Sequence, residues 1–309
     1  KTTGHGHGFT LSYGLQMSCN PTMMTVASRL GADKFYEYVE DFGYFEKSGI
    51  DLPSEGQTIF HDKENIGTTE LATASFGQRF KVTVISHLTA IAAVANGGKL
   101  VTPYVVDKVI SPDGTVISTH KTEIRGEVIS EEVAKTLAAV LEEGVSGDGG
   151  AKNAYVDGYK VAAKTGTSEK FDILDENGRS YLRIGSTVAF APAGQGGIAV
   201  IIVVDEPQCQ VKYGSQVAAP YISSLLTSIL PYLEYESDKA PSTAVLKSYV
   251  GMSANDAAKA LEKAGVSIKV IGNGSSVLSQ SPSEGVEVAM GVSTVYLYTE
   301  EQNLDTVTT

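Results

Sequence analysis

Between Tyr159 and Asp205 the chain carries three strand signals in succession, and this stretch limits the fold more than any other. Tyr159–Thr167 alternates apolar or small residues with polar ones and ends on Lys164-Thr165-Gly166-Thr167. Ser186–Ala191 is the second signal. Gly197–Asp205 is the third; it holds the β-branched run Ile198-Ala199-Val200-Ile201-Ile202-Val203-Val204 and follows the turn Pro192-Ala193-Gly194-Gln195-Gly196-Gly197. An apolar helix signal, Ala218–Tyr232, closes the segment. Consecutive antiparallel strands flanked by helices imply an α+β domain with helices packed on the sheet.

Upstream, the periodicity is helical. Asn20-Pro21 opens one helix, with Asn as cap, Pro at the first position and Met23, Met24, Val26, Ala27 and Leu30 as its apolar side. A second helix is predicted from Phe80 to Ala95, stopped by Asn96-Gly97-Gly98. Ser130 caps a third, Glu131–Glu143, with Val133, Leu137, Val140 and Leu141 on one face and acids in the first turn. Tyr104–Ser111 and Thr115–His120 read as a hairpin around Ser111-Pro112-Asp113-Gly114.

The composition shifts at Glu234–Pro241. This divides the chain into a domain over 1–235, a linker over 236–241, a small module over 242–300 and a tail over 301–309 that is expected to fray. In the module, Ser253-Ala254-Asn255-Asp256 caps a helix over Ala254–Ala264 with Ala257, Ala260, Leu261 and Ala264 inward. Short strands are predicted at Val266–Ile271, Val277–Gln280 and Ser293–Tyr298. The formal charge of −12 argues against duplex nucleic acid as a partner, because phosphate binding needs clustered Lys and Arg. Cys19 and Cys209 are too few for a disulfide framework and read as unpaired thiols. No apolar run reaches the roughly 18 residues of a spanning helix, and a chain that starts at Lys1 without a signal peptide is expected to be part of something longer.

Two tripeptides carry chemistry: Lys164-Thr165-Gly166 on the first strand signal, and Ser18-Cys19-Asn20 ahead of the first helix. Both have ordinary readings, since Asn20 before Pro21 is accounted for as a cap and such tripeptides recur by chance. Lys47-Ser48-Gly49 repeats one pattern in a turn-rich segment, and Ser253-Ala254-Asn255 repeats the other inside a capping box. Ser118-Thr119-His120-Lys121 matches Ser-x-x-Lys but falls in the hairpin. A nucleophile and its Lys base need one helical face at i and i+3, which a strand does not offer, so all three repeats are set aside. His5 and His7 invite a metal. With five histidines in the chain and no nearby Cys or paired carboxylates, a loop wall is the preferred reading, and no metal or cofactor is required.

The order of the landmarks is more specific than any one of them. Gly4-His5-Gly6-His7, Ser18-Cys19-Asn20-Pro21, Gly49-Ile50-Asp51-Leu52-Pro53-Ser54-Glu55, Ser75-Phe76-Gly77-Gln78, Ala95-Asn96-Gly97-Gly98, Lys164-Thr165-Gly166-Thr167, Phe190-Ala191-Pro192-Ala193 and Val204-Asp205-Glu206-Pro207 run in the order found in class B penicillin-binding proteins. The first 235 or so residues resemble the transpeptidase domain of that family. Residues from about Ala240 to Thr299 look like one PASTA domain, as in sporulation-specific and division-type Gram-positive members. The resemblance implies a penicillin-binding/serine β-lactamase-like fold and a peptidoglycan D,D-transpeptidase that works through an acyl-serine.

It implies roles as well. Lys164 supplies positive charge, and Thr165 and Thr167 supply hydroxyls, for a substrate carboxylate. Gly166 lets a substrate backbone lie along the strand. The Thr167 N–H is one oxyanion donor, Ser18 relays a proton to the leaving amine, and Asn20 holds the substrate amide, with Cys19 between them in the binding set. The implied partners are stem peptides ending in D-Ala-D-Ala, β-lactams and a glycan polymerase of the division machinery. The implied location is the extracytoplasmic membrane face, with an anchor outside these residues.

Three departures stand out. Ala163 and Arg79 stand where the family commonly has Gly, the second bearing on how the following helix starts. The nucleophile motif, expected ahead of Gly4 with the first sheet strands, is not found there. The chain alone is therefore expected to be inactive, and Gly197–Asp205 to leave an apolar edge that associates with another chain. Two rivals are a non-catalytic sensor of muropeptides or β-lactams and a serine β-lactamase. The latter needs a deacylating Glu that Asp148–Asp157 does not convincingly supply. A PASTA-bearing kinase is excluded on this stretch by the lack of a Gly-rich loop, His-Arg-Asp and Asp-Phe-Gly.

Overall fold

Helices packed on both faces of a three-stranded sheet organise unit 1 of the molecule, a computed structural model that describes residues 8–170, 174–194, 196–238, 243–289 and 293–300. The chain divides into two compact units, Lys1–Glu236 and Ser237–Thr309. Unit 1 begins with helices α1 (Leu11–Gln16), α2 (Asn20–Leu30), α3 (Ala32–Asp41), α4 (Thr68–Ala74) and α5 (Val84–Ala95). Next come β1 (Lys99–Val101), the exposed hairpin β2 (Lys108–Ile110) and β3 (Val116–Thr119), and β4 (Ile124–Glu127), which pairs antiparallel with β1. Helix α6 (Glu131–Ser146) leads into β5 (Ala162–Glu169), β6 (Arg183–Ala191) and β7 (Ile198–Asp205), antiparallel in the order β5-β6-β7. Helices α7 (Gly214–Val217) and α8 (Ala219–Tyr232) complete the unit.

The period-2 alternation of the strands builds two cores. Ala163, Ala189 and Ala191 point to one face, where Ile222, Leu226 and Leu230 of α8 fill the space they leave, all three at 0% exposure. Ala162 and Phe190 point to the other face, against Val94 of α5 and Ala138 and Leu141 of α6. Fully burying each large α8 side chain stabilises the layer by about 1.5–3 kcal/mol. Among the described residues β7 is an edge strand, and its seven apolar residues carry no charge before Asp205.

Several expectations are corrected. Cys19, not Asn20, is the N-cap of α2; no side chain caps that helix, and Asn20 is its exposed first residue. Of the apolar side expected on α2 only Ala27 is buried, while Met24, Val26 and Leu30 are exposed. Helix α5 starts at Val84 rather than Phe80, because the Thr83 hydroxyl accepts the Ser86 N–H at 3.1 Å and sets the start there. Phe80 instead joins an aromatic cluster, 5.0 Å from Phe60. On α6 the expected Leu141 is buried and Leu137 packs against the core, but Val133 is 51% exposed and the inward face is shifted to take in Ala134, Ala138 and Val145. Helices α1, α3, α4 and α7 were not expected; α1, α4 and α7 are short, whereas α3 does carry an amphipathic pattern, with Tyr36 on its buried side.

Unit 2 holds β8 (Thr243–Val245), α9 (Ala254–Lys263), β9 (Ser267–Ile271), β10 (Ser279–Ser281), β11 (Glu287–Ala289) and β12 (Thr294–Tyr298). The order β10-β12-β9 includes a parallel β12–β9 pair, and β11 pairs antiparallel with β8. The Ser253 hydroxyl accepts the Asp256 N–H at 3.1 Å. Ala257, Leu261, Val277, Val295 and Leu297 form the core, whereas Ala260, expected inward, is exposed. The tail and the second half of the linker, 239–241, lie outside the described residues.

Candidate active site

A left-handed serine turns the start of the chain toward the sheet. Ser18 has φ +50°, an arrangement that costs on the order of 1–3 kcal/mol for a non-glycine residue and persists only where its surroundings fix it. Those surroundings are visible on both sides. The Ser18 N–H donates to Leu15 O at 3.1 Å and the Cys19 N–H to Gly14 O at 2.8 Å, folding α1 back onto α2. Gly14 permits the approach, since a β-carbon there would sit 2.7 Å from Thr22 Cγ2. On its other side α1 is held by α6 and the turn after it: Gln16 Nε2 donates to Glu143 at 2.6 Å, and Gln16 O accepts the Gly150 N–H at 2.9 Å.

The result is that Lys164 Nζ donates to Ser18 Oγ, across 146 residues of sequence, and to Thr165 O at 2.8 Å. Burial pushes the Lys164 amine down to about 8. Thr167 O accepts Gln78 Nε2 at 3.0 Å. In an antiparallel strand a residue's N–H and C=O lie on the same side. The side-chain donors on Thr165 O and Thr167 O therefore mark these two residues as the set facing away from β6, on the free edge of β5. Gly166, between them, has no room for a side chain: a β-carbon would lie 2.8 Å from Ser186 Oγ. Behind the strand the Gly214 N–H donates to Thr167 Oγ1 at 3.0 Å, leaving that hydroxyl its own proton to donate.

A cavity of about 110 Å³ adjoins this corner, lined by Lys164, Thr165 and Gly166 of β5, Ser186 of β6 and His87 of α5, with apolar walls. A larger hollow of about 650 Å³ lies between the end of α5 and the start of α6 and touches neither tripeptide.

Of the residues singled out by sequence, Ser18, Lys164 and Thr165 are in contact. Gly166 and Thr167 continue the same edge. Cys19 is buried as the α2 cap and unpaired, and Cys209 is exposed and unpaired. Asn20 stands at the first position of α2, and its side chain bonds to no described residue. Ser118 lies on the exposed strand β3, Ser48 is bonded to Glu55, and Ser253 is a cap. Gly4–His7 lie outside the described residues. Gln78, His87, Ser186 and Gly214 were missed. Gln78 had a signal in the Ser75-Phe76-Gly77-Gln78 landmark; the others had none, since their roles come from packing.

The family profile described as penicillin binding protein transpeptidase domain matches residues 1–227, and that of the PASTA domain matches 245–301. Stage V sporulation protein D of Bacillus subtilis is 35% identical over 97% of this chain and 47% of its own length. Peptidoglycan D,D-transpeptidase FtsI of Escherichia coli is 27% identical over 74% of this chain and 37% of its own length. The chain thus spans less than half the length of these relatives. Among solved structures, penicillin binding protein 3 of Mycobacterium tuberculosis, complexed with ampicillin, superposes with a TM-score of 0.68 at 22% identity, covering 76% of this chain and 54% of that one. The D,D-transpeptidase domain of an Eggerthella lenta peptidoglycan glycosyltransferase gives 0.64 at 24% identity, covering 73% and 54%. The shared fold is the α+β arrangement described above.

Proposed function

Since this chain belongs to the penicillin-binding protein transpeptidase family and carries a PASTA domain, we propose that unit 1 holds the substrate-carboxylate and proton-relay half of a peptidoglycan D,D-transpeptidase site, with the acylated serine supplied by sequence outside these 309 residues. The observation that carries the reading is the Lys164–Ser18 hydrogen bond, which joins the Lys-Thr-Gly and Ser-x-Asn tripeptides.

In this reading a stem peptide lies along the free edge of β5. Its terminal carboxylate is held by the Lys164 ammonium and the Thr165 and Thr167 hydroxyls. The Thr167 N–H donates to the oxygen of the penultimate D-Ala carbonyl as it becomes an oxyanion, an interaction whose loss typically costs about 2.7–4 kcal/mol of barrier. Ser18, bonded to an amine held at about 8, passes a proton to the departing D-Ala nitrogen. The serine ester that remains is then attacked by the amine of a neighbouring peptide. Asn20, the exposed first residue of α2, meets the substrate amide, and Cys19 is buried at the cap before it. A β-lactam presents the same carboxylate and carbonyl. A chain acting on peptidoglycan would work at the extracytoplasmic membrane face, in division or sporulation, beside a glycan polymerase; no described helix is long and apolar enough to cross a membrane.

The test is the intact mass of this chain after incubation with excess benzylpenicillin, together with amide shifts on adding a D-Ala-D-Ala peptide. No mass gain, with shifts centred on Thr165 and Thr167, is expected. A stoichiometric adduct would overturn the assignment of the nucleophile elsewhere. Shifts confined to unit 2 would favour a sensor over a transpeptidase.

A further inference from the structure

One half-buried polar pair beside the site has no part in this chemistry. Tyr44 lies in the turn after α3, and its hydroxyl meets His87 Nδ1 at 2.7 Å, with ring centroids 6.0 Å apart. Burial raises the Tyr44 phenol and lowers the His87 imidazole, so the pair is neutral around pH 7. His87 shares the 110 Å³ cavity with Lys164, and these two bases are the titratable groups lining it; no carboxylate does. Glu55, the carboxylate near the start of α5, is taken up by Ser48 and Ser86. The groups facing the imidazole are therefore the Tyr44 phenol, the Lys164 ammonium and the Ser186 hydroxyl.

An ammonium has three protons to donate. Among the described residues that of Lys164 has two acceptors, Ser18 Oγ and Thr165 O. Two cations in one apolar-walled cavity would repel each other, so the neutral imidazole is the form that coexists with a charged Lys164. The cavity has room for about three waters at roughly 30 Å³ each, and polar groups to hold them.

We propose that His87 is a positioning residue for Lys164: oriented by Tyr44, its imidazole takes the third ammonium hydrogen bond through water in the shared cavity and thereby fixes the amine on Ser18. Nδ1–H donates to Tyr44 Oη, Nε2 keeps its lone pair for the water, and no proton changes owner. The proposal rests on the reading of Lys164 as a site residue.

The experiment follows the Lys164 side-chain resonances of the isotope-labelled 309-residue chain across pH. Removing the acceptor destabilises the cation, so His87→Leu is expected to lower the Lys164 midpoint by about one pH unit, roughly tenfold in its dissociation constant. His87→Gln keeps an acceptor and restores most of the shift, and Tyr44→Phe lowers the midpoint less than His87→Leu does. An unchanged midpoint in His87→Leu overturns the proposal, and so does a fall in His87→Gln as large as in His87→Leu, which would mean packing alone. Should His87→Leu fail to fold, Tyr44→Phe decides: a lowered midpoint supports the proposal and an unchanged one overturns it. None of these readings needs turnover, so their failure leaves the transpeptidase reading standing.

Discussion

Replacing Gly214 with Ala tests how the site strand is backed. The added β-carbon would lie 2.2 Å from both Gly166 O and Ser186 O and 2.9 Å from Ser186 N, backbone atoms of two paired strands that no rotamer change can move. Helix α7 must lift by on the order of 1 Å to reach ordinary contact. That lift breaks the Gly214 N–H bond to Thr167 Oγ1 at 3.0 Å, worth about 0.5–1.5 kcal/mol. It also takes Gly214 O from the Thr187 hydroxyl, 3.2 Å away and 0% exposed, and a buried donor left unpaired costs about 1–3 kcal/mol. With about 1–3 kcal/mol for overpacking, the expected loss is about 2.5–7.5 kcal/mol. Urea-dependent amide exchange in β6 measures it while keeping unit 2 out of the reading. Gly126→Ala, whose β-carbon would meet nothing within 4 Å, is the control and should stay within about 0.5 kcal/mol of wild type. In a Thr187→Val background the cost of Gly214→Ala should shrink by about 1 kcal/mol, because no hydroxyl is left to orphan. A loss below about 1 kcal/mol, or no coupling to Thr187, would refute the reasoning.

Further expectations come from single residues. Arg79 has φ +67°, so Arg79→Gly should raise stability by up to about 1 kcal/mol, the relieved strain exceeding glycine's entropy; a lower melting temperature would contradict this. Lys164 titrates near 8 in the folded chain against 10.5 when unfolded, so the unfolded chain holds the extra proton between those values. The burial cost is full below 8, and stability attributable to this group then rises with pH by up to about 1.4 kcal/mol per unit. The urea stability of wild type minus that of Lys164→Met, compared at the two ends of that window, should show the rise; a flat difference would count against a buried amine. The unpaired side of β7 should make the chain associate with rising concentration, and Val203→Lys, at a position 41% exposed, should suppress this. Solution scattering that shows a wild-type monomer throughout would dispose of the idea.

What was legible in the sequence was whatever local physics decides. Ser130 and Ser253 were readable as caps because Asp, Glu and the helical period follow them directly. The three sheet strands were readable because β-branched and small residues alternate there. Asn20 misled because a good capping residue before proline is outbid by the chain reversal at Ser18, which places the cap one residue earlier at Cys19. The buried face of α6 was only half judged: Leu137 and Leu141 pack on the core as expected, but Ala134 and Ala138 are buried where Val133 was expected, because small side chains allow the close approach. At the site, the Lys-Thr-Gly and Ser-x-Asn pairing came from resemblance to a family, since no spacing rule links residues 18 and 164. Arg79 gave a warning that resemblance alone supplied: glycine is common there, and the backbone is left-handed. Gly214 and His87 were silent, as contacts made by a backbone or across a cavity leave no periodic trace.

The Lys164–Ser18 bond has a consequence for how the protein is made. Its partners are 146 residues apart, so closing that loop costs entropy that no local turn repays. On a growing chain α1 and α2 emerge long before β5 exists, and Ser18 must wait for its amine. A chain stopped before β5 therefore lacks Lys164 and has no trace of the pocket, and any probe that reads the Lys164–Ser18 contact reports that the unit has closed.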